Sequence, residues 1–191
     1  MSYRAWDLPK EIVFAGQSWD IRTDFRDILT ILSAFDDPDL TKAEKQYTAL
    51  KIFYSDFDNM PKDLYPEAYQ HCMSFIDHGA EKKDQKKANP RVMDWEQDAN
   101  ILFPAVNKVA GKEVRELPYL HWWTFLGYFM EIQGGIFGTV LQLRQKKAKR
   151  KKLEKEEQEF WRNNRDICEI RSRLSAEEEE EKARLKALLG G

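Results

Sequence analysis

The sequence predicts a mainly α protein: a compact helical domain that opens with a small β-hairpin and closes with a long charged helical arm. Three observations predict it. Apolar residues recur at helical spacing in most segments between residues 24 and 143. Apolar–polar alternation is confined to residues 12–21, around Gly16. A dense aromatic block, LPYLHWWTFLGYFMEIQGGIFGTVLQL, then runs directly into a charge-saturated one, RQKKAKRKKLEKEEQEFWRNN. The first requires burial and the second requires water, so the chain is read as leaving a packed core and projecting outward as a long helix.

The elements follow in order. Ile12, Val13 and Phe14 precede Ala15-Gly16-Gln17, after which Trp19 and Ile21 alternate with polar residues, as in a hairpin. Thr23 or Asp24 caps a first helix, on which Phe25, Ile28, Leu29 and Leu32 share a face. Asp36-Asp37-Pro38 breaks it. A second helix spans about 41–54, with Tyr47, Leu50 and Phe53 on one face. After a loop, a third begins near Pro66 and ends at Gly79, a residue suited to a C-cap. Residues 80–90, AEKKDQKKANP, have no apolar period and read as a flexible linker. Beyond it, Trp95, Ala99, Leu102, Phe103 and Val106 fit a helix kinked at Pro104 and closed by Gly111.

Pro118 opens the aromatic helix, apolar on nearly every side and therefore read as buried. His121, Trp122, Trp123, Phe125, Phe129 and Phe137 are its candidate core residues, with His121 making a buried hydrogen bond. The chain divides into a core domain, 1–143, and an arm, 144–191. In the arm, Leu153, Phe160, Ile167 and Leu174 are spaced by seven. The second heptad position carries Glu156, Asn163 and Ile170, so this is a narrow apolar stripe and not a coiled coil. Ser175 and Glu178 form a capping box that starts a terminal helix, with Leu185, Leu188 and Leu189 as its apolar patch.

Composition and spacing narrow the function classes. Hydrophobic residues make up 42% and charged residues 34%, enough apolar content for a core in a well-solvated chain. The net charge of -2 gives no global field for a polyanion. Cys72 and Cys168 read as free thiols, and the N-terminal residues carry no apolar signal region. The uncharged run 117–130 is shorter than the roughly 20 residues of a membrane span. Asp56, Asp58 and Glu67 have the spacing of part of a calcium loop, but Met60 and Pro61 occupy positions that need a ligand and a glycine. His71 and His78 are too far apart to ligate one metal across a turn. No phosphate loop or nucleophile elbow is present, so neither an enzyme nor a cofactor is expected. Eight of the twelve residues from Arg144 to Lys155 are Lys or Arg. Such a run can neutralise phosphates, but Glu154, Glu156, Glu157 and Glu159 follow at once and no aromatic interleaves it.

Four passages carry a resemblance: Thr23-Asp24-Phe25-Arg26 after the hairpin; Trp95-Glu96-Gln97-Asp98-Ala99; Leu120-His121-Trp122-Trp123-Thr124-Phe125; and Phe137 to Lys147, leading to Trp161 and Asn164. Together they resemble a family of tail-module proteins of long-tailed phages and prophages, named after phage gene product fifteen, over about residues 1–165. Two features depart from its pattern: the charge of the 80–90 linker, and Pro104 in place of a small residue. The resemblance implies a tail assembly chaperone that coats and solubilises the tape measure protein and helps recruit tail tube protein. It would act in the host cytoplasm, beside a second tail assembly chaperone or further copies of itself, and be absent from the mature virion. It implies no catalytic, cofactor or metal residues. On this reading Leu153, Phe160, Ile167 and Leu174, with Arg144, Lys147 and Lys151, bind the partner. The alternatives are a structural component of the virion tail and a nucleic-acid-binding accessory using residues 144–155.

Overall fold

The hairpin comes first because two adjacent residues accept left-handed backbone. In a computed structural model that describes residues 6–78 and 91–171, with Ser175, Glu177, Glu178, Glu180, Glu181 and Arg184 beyond them, Ala15 and Gly16 have φ of 50° and 75°. Such a two-residue turn matches the twist of the strands it joins. β1 (Glu11–Phe14) pairs antiparallel with β2 (Gln17–Asp20), placing Ile12 opposite Trp19. Ile12, Phe14 and Trp19 face inward and Val13 faces solvent, the alternation the pattern required.

The helices follow as α1 (Phe25–Asp36), α2 (Lys42–Phe53), α3 (Tyr65–Ile76), α4 (Ala99–Ala110), α5 (Trp122–Met130), α6 (Gly135–Ala148), α7 (Lys155–Asn163) and α8 (Arg165–Cys168). The expected fold class therefore holds: mainly helical, with one small N-terminal hairpin. Asp24, one of the two expected caps, accepts from the Arg26 amide at the start of α1. Thr41 and Glu44 cap α2 reciprocally. The Ser175–Glu178 capping box forms as expected, through the Ser175 amide at 2.9 Å and the Glu178 amide at 3.2 Å.

One core joins the hairpin to α1–α5 and the start of α6, through Ile12, Trp19, Phe25, Ile31, Phe53, Phe75, Leu102, Trp122 and Phe125 among others. Phe25 stacks on Phe125 with ring centroids 4.6 Å apart. Backbone pairing adds to this: Phe25 N–H donates to Leu120 O and Trp122 N–H to Thr23 O.

Several expectations are corrected. Tyr47 does not share the buried face of α2; it is exposed, and Ala49 joins Leu50 and Phe53 inside. α3 ends at Ile76, and the left-handed residue after it is His78 (φ 57°), whose ring packs against Trp123. Gly79 and the 80–90 linker lie outside the described residues. Trp95 does not belong to α4 but precedes it; Gly111 closes that helix in left-handed geometry as expected. α5 is not buried all round: Trp122 and Phe125 are buried, whereas Met130 is 71% exposed.

The largest difference concerns the arm. α6 stops at Ala148 in a turn with Arg150 at φ 54°, where Arg150 N–H donates to Lys147 O and Lys151 N–H to Lys146 O. That is a Schellman closure with arginine in the glycine position. The chain then reverses. Val140, Leu143 and Cys168 form a second buried cluster, and Leu153, Phe160, Trp161 and Ile167 pack against it. An apolar residue every seventh position gives a helix one face to bury, and the core was a nearer target than solvent. Residues 185–189 and Leu174 lie outside the described residues.

Candidate functional site

The His-Trp-Trp passage works as a clamp between helices. His121 is 2% exposed. Its Nδ1 accepts from the Trp123 amide at 3.1 Å, capping α5, which leaves the proton on Nε2 to donate to Pro9 O at 3.1 Å. Burial and that neutral arrangement fit the direction of its pKa, which is pushed below its usual value chiefly by desolvation. Trp122 Nε1 donates to Ile76 O at 3.0 Å and Trp123 Nε1 to Phe75 O at 2.9 Å. Phe75 and Ile76 end α3, and the last carbonyls of a helix have no partner within it. The two indoles thus satisfy one helix end while their rings fill the core between α3 and α5. Phe125 is fully buried, Phe137 nearly so, and Phe129 packs half-buried on Trp95. These expected core residues are structural members of the molecule.

The expected partner-binding residues are distributed differently. Arg144 is buried, 5% exposed, and its guanidinium is used internally. It grips both oxygens of Asp98, at 2.7 and 2.8 Å, and donates to Val92 O, Ile167 O and Cys168 O. Asp98 also accepts from the Asp94 amide at 2.9 Å. This is a satisfied buried pair, unavailable to a partner. Leu153, Phe160 and Ile167 are half-buried against the second cluster. Lys147 lies over the Trp161 ring at 3.9 Å, and Lys151 is exposed. Sequence reasoning missed Asp98 as the partner of Arg144. The signal was there: Asp98 and Arg144 fall in two of the four passages that carry the family resemblance.

Apolar surface stays open between α4 and the turn joining α5 to α6, apart from scattered exposed side chains such as Trp6, Leu8 and Val13. Ile101, Ala105 and Val109 form one row along α4, with Asn100, Pro104 and Lys108 beside it, both at intervals of four. The opposite wall is the segment from Glu131 to Phe137. Together they enclose a groove of about 630 Å³. Ile136 is 58% exposed on its rim, Val109 37%, and Met130 precedes the turn. Gly134 and Gly135 carry φ of 63° and 68°, which lets the chain double back tightly enough to form the wall.

Backbone groups contribute polarity. Pro104 has no N–H to give the Asn100 carbonyl, and α6 begins without a side-chain cap, so its first amides have no intrahelical acceptor. Lys108 and Glu131 supply one charge of each sign. Such a surface suits an apolar helix or strand carrying a few hydrogen-bonding groups. A second groove, about 750 Å³, lies between α2 and α3, lined by Leu40, Ala43, Tyr47, Tyr65, Pro66 and Tyr69. It exposes fewer aliphatic side chains.

Cys72 is fully buried, and burial pushes its thiol pKa up, so it is an inert packing residue. Among the described residues no group of three or more His, Cys, Asp or Glu side chains is placed to hold a metal ion. No described helix is long and apolar enough to cross a membrane.

The family model described as bacteriophage Gp15 protein matches residues 6–170, from the approach to β1 through α8. No curated protein and no solved structure matches the chain.

Proposed function

The chain belongs to the bacteriophage Gp15 family, and from that premise we propose that it is a tail assembly chaperone that binds the tape measure protein. A tape measure is a long helical chain with apolar faces that aggregates until the tail tube surrounds it. A protein that escorts it must cover those faces reversibly, without catalysis. The observation that carries the reading is the open aliphatic groove between α4 and the α5–α6 turn, on a chain whose other large apolar side chains are mostly packed. An amphipathic helix laid in it would bury Val109, Ile132 and Ile136 against its own apolar side. Escort of the tape measure takes place in the host cytoplasm and ends before the virion matures. Recruitment of tail tube protein and cooperation with a second chaperone would use other surfaces.

Co-expression with the tape measure protein of the same phage tests this. Soluble co-purification is expected, together with its loss when Val109→Glu and Ile136→Glu are combined in a variant that keeps its helical circular dichroism. An insoluble tape measure beside freely soluble chaperone would overturn the proposal. Recovery of the protein in purified virions would favour a permanent structural role.

A further inference from the structure

The turn between α6 and α7 concentrates positive charge that no ion pair among the described residues engages. Lys149, Arg150, Lys151 and Lys152 are consecutive and all exposed. The Schellman closure at Arg150 packs them into one bend, so their charges are not strung along a helix. Among the described residues, the ion pairs of this region are Lys146 with Glu157 and Arg165 with Glu169, and none reaches the bend. Four like charges within one turn repel each other, and at the start of α7 Glu157 is committed to capping with Glu154 and to pairing with Lys146.

The opposite charge occurs once as densely, in the five consecutive glutamates 177–181. Glu177, Glu178, Glu180 and Glu181 are exposed. The Ser175–Glu178 box fixes where this turn of helix starts, and its acidic side chains sit near a helix N-terminus, where negative charge is favourable. Among the described residues no ion pair joins them to the basic bend of the same molecule. A net charge of only -2 therefore conceals two separate, strongly charged patches of opposite sign.

We propose that the basic bend at residues 149–152 receives the exposed carboxylates of Glu177, Glu178, Glu180 and Glu181 of a second copy, so that copies associate head to tail. The two patches differ, which makes the contact heterologous: a head-to-tail pair still has one basic and one acidic patch unused, and addition continues until a ring closes or a filament grows. Charge complementarity between exposed patches steers association and fixes register, and it is screened within about 8 Å at physiological ionic strength. The contact is consequently weak, reversible and salt-dependent. It leaves the α4 groove open and does not depend on which partner that groove takes.

Sedimentation velocity of the full chain over a concentration series tests it. At about 50 mM salt the average mass rises with concentration beyond that of a dimer, and at about 0.5 M salt it returns to one copy. The variant K149E/R150E/K151E/K152E stays a monomer, as does E177K/E180K/E181K, which spares the capping Glu178. Mixing the two restores association, because each reversed patch then meets its complement. A wild-type monomer at low salt overturns the proposal. So does self-association that survives either reversal alone, or a mixture that stays monomeric. Retention of a duplex oligonucleotide by the bend, with no self-association, would make nucleic acid its occupant and overturn it as well.

Discussion

Replacing Arg144 by leucine should destabilise this protein more than any surface change in the same basic run. The guanidinium donates five hydrogen bonds: two to the Asp98 carboxylate and one each to the carbonyls of Val92, Ile167 and Cys168. Asp98 is 1% exposed, so the variant leaves a buried carboxylate with one remaining donor, the Asp94 amide. Removing one member of a buried pair costs about 3–5 kcal/mol, mostly because the other charge stays desolvated. For a chain of this size that corresponds to a fall in Tm of roughly 10 °C. Lys151→Leu, a few residues on and exposed, should change stability by no more than about 0.5 kcal/mol. Urea unfolding followed by tryptophan fluorescence measures both. Adding Asp98→Leu to Arg144→Leu should recover part of the loss, since the uncompensated charge is then gone. A loss below about 1 kcal/mol for Arg144→Leu would refute the reasoning. It would mean that residues 165–171 do not dock on α4 in solution and that the guanidinium lies in water.

Other consequences are as direct. Arg150→Gly should stabilise the protein by about 0.5–1 kcal/mol, because the left-handed position strains any residue with a Cβ; a loss in chemical denaturation would contradict the Schellman reading. Asp24→Ala removes the cap of α1 and the acceptor of the Leu120 amide, and should cost about 1–2 kcal/mol in the same assay. Trp123→Phe should cost about 0.5–1.5 kcal/mol by removing the indole donor from the Phe75 carbonyl, which keeps the His78 amide, read as a lower urea midpoint. The folded-state pKa of His121 lies below its ordinary value near 6.5, so the unfolded chain takes up the proton first. Stability is therefore full above that value and falls as pH drops through it, until the folded-state pKa is reached. His121→Asn should flatten this part of the pH–stability curve.

Local chemistry was legible in the sequence. The Ala15-Gly16 turn, the Gly111 closure and the Ser175–Glu178 box each depend on a few neighbouring residues, and each forms where its pattern placed it. What the pattern could not supply was the destination of a half-apolar face. A seven-residue stripe says that Leu153, Phe160 and Ile167 will be covered, but not by what, and the covering surface is the chain's own α6. Arg144 was hidden for a related reason. In a run of eight cations it has no feature that separates it from Lys146 or Lys147, and only its position opposite Asp98 in space does so. Aromatic density misled in the other direction. α5 is apolar on nearly every side, yet the structure covers only the Trp122–Phe125 side fully and leaves Met130 in water. The candidate site lies just beyond this exposed end, where Val109 and Ile136 line the groove, and no motif marked it.

The central claim is that the α4 groove is where a tape measure helix lies. A photo-crosslinking residue placed at Ile136, with a control at exposed Lys62 between α2 and α3, would test it most directly during tail assembly. A tape measure adduct is expected from position 136 and none from position 62. Adducts from position 62 alone, or from neither position in cells that assemble tails, would contradict it.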